Sequence, residues 1–193
     1  MNEQLKFANL RPSASMPRAP RKYTAADIFF FLKAGLLDDN AKFELLDGAI
    51  IPMSPKGNEH ETMRLKIARW LQSPWAKKFD SLQEHTLTID DGSLMEPDFV
   101  LFKGGRQDLL DPLTGAEICL LIEVADTSLG YDLTKKAAKY ARFGAAEYWV
   151  VNATTGETTI HRGASKRGWS EREKVPAGKP LAPRCAPRAF LKL

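Results

Sequence analysis

Soft and imidazole ligands are scarce in this chain, which has two cysteines and three histidines in 193 residues. Cys119 falls in an apolar run and Cys185 in a Pro-rich tail, so neither a disulfide framework nor a zinc site is supported, and both are read as free thiols. Long apolar runs are missing too. No stretch approaches the roughly 20 residues a membrane helix requires, and the opening MNEQLKFANLRPSASMPRAPRK lacks the apolar centre of a signal peptide. No membrane partner is therefore expected, and the expected location is the cytoplasm. There is no internal repeat.

Charge of one sign is absent from the whole but not from its parts. The net +4 combines two basic ends with an acidic body: residues 1–22 carry five Lys/Arg against one acid, and residues 162–193 carry nine against two. The ends sum to +11, leaving −7 for residues 23–161. Basic ends alone are weak evidence for nucleic acid, since tails are often only solubilising. Clustered acids in the body are more informative, because carboxylates repel one another unless a cation joins them.

With 44% hydrophobic and 27% charged residues, the chain has the composition of one globular domain with a substantial core. Three stretches are expected: a flexible basic arm over 1–22, a folded domain over 23–175, and a basic Pro-rich segment over 176–193 that wraps the surface. Thr24 with Asp27 forms a capping-box pattern at the start of a helix, TAADIFFFLKAG. FELLDGAIIPM predicts two strands turning at Asp47-Gly48. HETMRLKIARWLQSPW has Met63, Ile67, Trp70 and Leu71 at helical spacing and ends before Pro74. SLQEHTLTIDDG predicts a strand and turn, EPDFVLF a strand after Pro97, and ICLLIEVA a strand covered on both faces. TSLGYDLTKKAAKYARFG predicts a helix stopped by glycine, and EYWVVN with ETTIHRG a last strand pair. Strands followed by helices give an α/β fold in a single domain.

Glu123 is the anomaly in this pattern, a carboxylate inside ICLLIEVA. An unpaired carboxylate in a dry core costs several kcal/mol or stays protonated, so it needs a cation, donors or an opening. A structural salt bridge and a functional site are both open on this residue alone. Glu44 and Asp98 also stand at strand positions. If the strands of Asp98 and Glu123 are neighbours, their carboxylates converge at one end of the sheet, where a hard divalent ion with oxygen ligands, Mg²⁺ or Mn²⁺, would resolve the repulsion. Asp132, Lys136 and Tyr140 follow at i, i+4 and i+8 and share a helix face. Spacing alone favours a helix-stabilising Asp132–Lys136 pair; the other reading places Lys136 over the metal site, orienting water or neutralising charge on a phosphate.

EPDFVLF, LLIEVAD and YDLTKKAAKYARFGAAEYWVVN, with FELLDG and His60 before them, resemble the ordered motifs of the Uma-two family of endonucleases. That family lies within the restriction-endonuclease-like PD-(D/E)XK superfamily, and the resemblance covers about residues 24–175. It implies a mixed β-sheet flanked by helices and a metal-dependent site that hydrolyses phosphodiester bonds of DNA. Carried across by residue, Asp98 and Glu123 match the two metal-binding acids and Glu44 the additional acid before them. The superfamily's usual lysine, two residues after the second acid, is Ala125 here; Lys136 stands in the matching place on the following helix.

The expected catalytic set is therefore Glu44, Asp98, Glu123 and Lys136, with His60, Asp132 and Tyr140 in support. The expected partner is nucleic acid, DNA first, with a homodimer as an arrangement compatible with the class. His60 either faces the site or caps a surface, and Tyr140 either hydrogen-bonds Lys136 or a phosphate or packs its ring on the sheet. His85 and His161 read as structural, Trp149 as core, and Glu147 as a surface charge or a partner for the preceding helix. An alternative of a different class is a noncatalytic nucleic-acid-binding or assembly module that keeps the nuclease fold.

Overall fold

Short strands outnumber helices in the computed structural model, which describes residues 22–38 and 40–193. Apart from Lys22, the expected basic arm lies outside the described residues. Helix α1 (Ala25–Lys33) begins at Thr24, whose hydroxyl accepts from the Asp27 amide while Asp27 accepts from the Thr24 amide. The hairpin β1 (Phe43–Leu46) and β2 (Ala49–Pro52) turns on Asp47 and Gly48, with φ of 50° and 82°. Positive φ at both central residues is what a tight, right-twisted hairpin demands. Helix α2 (Asn58–Leu71) buries His60, Ile67, Trp70 and Leu71 and stops short of Pro74.

SLQEHTLTIDDG differs from expectation. It is divided between β3 (Phe79–Gln83) and β4 (Leu87–Asp90), which belong to different sheets. Glu84, at φ 50°, stands at the corner. Strands β5 (Ser93–Met95), β6 (Phe99–Lys103) and β7 (Ile118–Ala125) follow. Helix α3 is continuous over Leu129–Tyr131, a π turn Asp132–Lys136 and Ala137–Phe143, and Gly144 closes it at φ 95°. The chain then forms β8 (Glu147–Asn152), β9 (Thr158–Ser165) and β10 (Gly168–Val175). Strand β10, GWSEREKV, is an addition to the expected strands: it is a charged edge strand with little apolar alternation.

Two sheets result. The larger, ordered β10-β9-β8-β7-β6-β3, is mixed, with β7 and β8 parallel and its other neighbours antiparallel. The smaller, β2-β1-β5-β4, is antiparallel. The period of two along each strand sorts side chains between two cores. Leu120, Ile122 and Val124 of β7 face Ile67, Trp70 and Leu71 of α2. Leu121 and Ala125 face the other way, toward Ala137 and Tyr140 of α3 and Leu46, Leu87 and Met95 of the smaller sheet. Glu123 shares the parity of Leu121 and Ala125, so it points into the space between the larger sheet, α3 and the smaller sheet. A third cluster, Ala25, Ile28, Leu45 and Leu94, joins α1 to the smaller sheet's outer face.

The C-terminal segment does more than wrap the surface. Leu181, Ala186, Ala189 and Leu191 are buried in the α2-side core, and Leu181 and Leu191 pair with each other. Glu147, expected at the surface or beside the helix, is 1% exposed. It accepts from the Trp149 indole at 2.7 Å, Arg162 at 3.0 Å and the Arg184 amide at 2.8 Å. Its charge is thus bound to the C-terminal segment and to the neighbouring β9. Among the described residues no helix is long and apolar enough to cross a membrane.

Candidate active site

Strand pairing brings the two central acids together. Phe99 of β6 is opposite Ile122 of β7, so Asp98 precedes its strand where Glu123 nears the end of its own. The Val124 amide donates to Asp98 Oδ2 at 2.8 Å, which ties the two positions directly. Glu44, on β1, enters from the smaller sheet and accepts from the Glu96 amide at 3.0 Å. Helix α3 supplies the counter-charge: Lys136 Nζ is 2.8 Å from Glu44 Oε1 and 2.9 Å from Glu123 Oε1. One ammonium thus bridges acids from both sheets.

The helix face carries the predicted trio despite its π turn. Asp132 Oδ1 is 3.7 Å from Lys136 Nζ, while Asp132 Oδ2 accepts from the Ser128 hydroxyl at 2.6 Å. Tyr140 donates its hydroxyl to Glu123 Oε1 at 2.9 Å, so its partner is the acid and not Lys136. It also does what a core tyrosine does, packing edge-on against Tyr148 at 5.0 Å. The π turn has visible causes. Thr134 donates its hydroxyl back to the Gly130 carbonyl, and the Asp132 carbonyl accepts both the Ala137 amide and the Tyr148 hydroxyl.

A second set of nitrogen groups surrounds Asp98. His60, near the start of α2 and 6% exposed, places Nε2 3.3 Å from Asp98 Oδ2. Lys56 Nζ is 3.0 Å and Arg64 Nε 3.5 Å from Asp98 Oδ1. Sequence reasoning missed Lys56 and Arg64. The available signals were the position of Lys56 in the turn SPKGN and of Arg64 one helical turn after His60, on the same face of α2.

Electrostatics divide the site into two halves. Burial raises the Asp98 carboxyl, but the His60 contact, Lys56 and the Val124 amide outweigh it and hold it down at about 2. Burial pushes the Glu123 carboxyl well above its usual range; Lys136 opposes this, and Asp132, Asp98 and Glu44 add to the rise. Lys136 also goes up, because Glu123, Glu44 and Asp132 together overcome the burial that disfavours its charge. These directions agree physically. One ammonium among three acids is held charged, while burial and the neighbouring acids disfavour the charged form of Glu123.

Glu44, His60, Asp98, Glu123, Asp132 and Lys136 all line one pocket of about 240 Å³, together with Lys56 and Tyr131. Its carboxylates are hard oxygen donors in negative excess, which fits a hard divalent cation. Among the described residues no three His, Cys, Asp or Glu side chains already converge as a cage. That is compatible with Mg²⁺, which is commonly held by one or two carboxylates and completed by waters and substrate phosphate. Two buried polar atoms of the pocket residues, Asp132 Oδ1 and the Tyr131 hydroxyl, have no hydrogen-bond partner.

Comparison with known proteins follows the same outline. The chain has the fold of a crystallised protein from Anabaena variabilis ATCC 29413, described as "a putative nuclease belonging to DUF820". The TM-score is 0.66 at 16% sequence identity, over 83% of this chain and 92% of that one. No curated protein matches the chain. A family profile described as "Putative restriction endonuclease" matches residues 29–191, spanning every strand and helix that contributes to the pocket. The chain belongs to this family, Uma2.

Proposed function

We propose that the protein is a metal-dependent endonuclease that hydrolyses phosphodiester bonds of DNA. The observation that carries this reading is the convergence of Asp98 and Glu123, from adjacent strands, with Lys136 returning from α3 to the same pocket. Asp98 and Glu123 would hold Mg²⁺ or Mn²⁺, with Glu44 assisting directly or through water, and the bound ion would polarise a phosphoryl oxygen and acidify a coordinated water.

The protein's own groups supply position and charge. His60 and the Val124 amide fix Asp98 Oδ2, which leaves Oδ1 toward the cationic side of the pocket. Tyr140 and Lys136 both hold Glu123 Oε1 and so orient its carboxyl group. Lys136, kept charged by its acids, is placed to orient the attacking water or to offset charge building on the phosphate. Asp132 supports the Lys136 amine from one turn before it. In the reaction the water oxygen bonds to phosphorus, the ester P–O bond breaks and the departing oxygen takes up a proton.

Purified protein incubated with plasmid DNA and Mg²⁺ or Mn²⁺ is expected to cut it, and Asp98→Ala and Lys136→Met to lose at least about 100-fold in rate. Circular dichroism of each variant separates lost chemistry from lost fold. Equal residual cutting by wild type and both folded variants would overturn the reading. One observation favours the alternative of a noncatalytic binding module: Glu44, Asp98 and Glu123 each already have a cationic partner within the chain. Absence of Mn²⁺ binding in calorimetry would support that alternative.

A further inference from the structure

Asp98 can receive a metal ion only if the charge already covering it moves, and the residues around it differ in their freedom to do so. Its Oδ2 is committed to the Val124 amide and to His60, on a strand and a helix. Its Oδ1 is covered by Lys56 at 3.0 Å. Lys56 stands in the coil between β2 and α2, beside Gly57, and its side chain is 25% exposed, against 6% for Lys136. Moving Lys136 would unpack α3 from both sheets; moving Lys56 rearranges only a surface turn.

The surroundings of Lys56 are built so that its departure leaves little uncompensated. Its other partner is Glu84, at the corner between β3 and β4, and that acid also has Arg64 Nη1 at 3.0 Å. Arg64 Nε, 3.5 Å from Asp98 Oδ1, is a buried donor with no hydrogen bond. Arg64 therefore already stands by both acids that Lys56 neutralises. Lys56 itself lines the pocket with Glu123 and Lys136, so a cation released from Asp98 stays beside any phosphate that enters.

From this geometry, and resting on the reading of Asp98 as a metal ligand, we propose that Lys56 is an exchangeable counter-ion. It holds Asp98 Oδ1 in the free protein, gives it up when a divalent cation is taken, and then binds a nonbridging phosphate oxygen of the nucleic acid. An ammonium and a divalent ion on one carboxylate oxygen repel each other, so the two compete for Asp98. A lysine serving only as a structural ion pair would show no such linkage between metal and nucleic acid.

Lys56→Met tests the exchange without measuring cutting. Calorimetry with Mn²⁺ alone is expected to show tighter binding by Lys56→Met than by wild type, by about tenfold, since the competing charge is gone. Anisotropy of a labelled DNA duplex in Ca²⁺ is expected to show weaker binding, with the salt slope reduced by about one. In EDTA the variant and wild type are expected to bind the duplex alike, because Lys56 is then occupied by Asp98. Lys56→Arg should restore duplex binding in Ca²⁺. Asp98-dependent Mn²⁺ binding that is unchanged or weakened in Lys56→Met overturns the exchange while leaving the metal site standing. Mn²⁺ binding that survives Asp98→Asn, or is absent from both wild type and Lys56→Met, removes the metal-ligand reading and the exchange with it.

Discussion

Lys136 shows how one side chain can be surrounded by more opposite charge than it neutralises and still belong to a stable fold. Its ammonium is buried with Glu44, Glu123 and Asp132, an arrangement that costs desolvation and is recovered only through close contacts. The residue types and their spacing were legible: the period of two on β7 and of about four on α3 place Glu123, Asp132, Lys136 and Tyr140 by parity and face. The partners on Asp98 were not legible, because Lys56 and Arg64 reach it across more than 30 residues of chain. His161 gives a test at this scale away from the pocket. Burial between Tyr148 and Trp169, aided by Arg172, lowers its imidazole to about 4 from 6.5, against a weaker opposing hydrogen bond. The folded state thus resists the proton that the unfolded chain accepts below 6.5. The contribution of this residue to stability is full above about pH 6.5 and falls as pH drops toward about 4, by at most about 3 kcal/mol. Urea midpoints of His161→Phe between pH 7 and pH 5 should vary much less than those of wild type. Parallel curves would mean that His161 titrates normally.

Helix α3 is the element on which the pocket depends, since Asp132, Lys136 and Tyr140 all ride on it. Its existence, its face and its glycine stop follow from TSLGYDLTKKAAKYARFG, whereas its π turn does not. That turn arises where Thr134 bonds back to Gly130 and Tyr148, from β8, reaches the Asp132 carbonyl. The first is a local option any threonine has, and the second needs the tertiary fold. The far end of α3 is set by a close approach no periodicity reveals. A Cβ on Gly115 would lie 1.9 Å from the Phe143 carbonyl oxygen, in the last turn of the helix. Gly115→Ala is therefore expected to push α3 outward and cost about 1–3 kcal/mol, read from urea unfolding. Gly144→Ala meets open space at φ 95° and should cost about 1–2 kcal/mol through backbone strain alone. On the proposed reading, Gly115→Ala should also change Mn²⁺ binding, because displacement of α3 moves Lys136 and Tyr140 against Glu123, while Gly144→Ala should leave it nearly unchanged. A neutral Gly115→Ala would show that the helix end is not pressed against this loop.

On the scale of the whole molecule, the pocket lies on a seam between two sheets, and that has consequences for how the protein opens. An α/β fold was legible in the strand and helix signals, and the mixed sheet was implied by the family resemblance, but the division of SLQEHTLTIDDG at Glu84 was not legible, because alternation continues on both sides of the corner. The smaller sheet has strands of three or four residues, and α1 beside it keeps Phe29 and Phe30 half or more exposed, at 50% and 62%. The larger sheet has β7 buried along all eight residues, with packed cores on both faces. Contact between them includes Leu46, Leu87 and Met95, with Ile51 and Ile89 beside them, and two lysines of α3: Lys136 to Glu44, and Lys139 at 2.7 Å to both Asp47 and Asp90. A unit with short strands, an exposed apolar helix face and a few ionic ties should open before the rest. Native-state hydrogen exchange in low denaturant should show the Leu45 and Leu94 amides exchanging through a partial opening, at free energies below that of global unfolding. The Leu120 and Ile122 amides should exchange only globally. Lys139→Met should lower the first set selectively, since it removes a tie without touching the larger core. If all four amides share one denaturant dependence, the two sheets open together. In that case Glu44 cannot leave Lys136 short of complete unfolding.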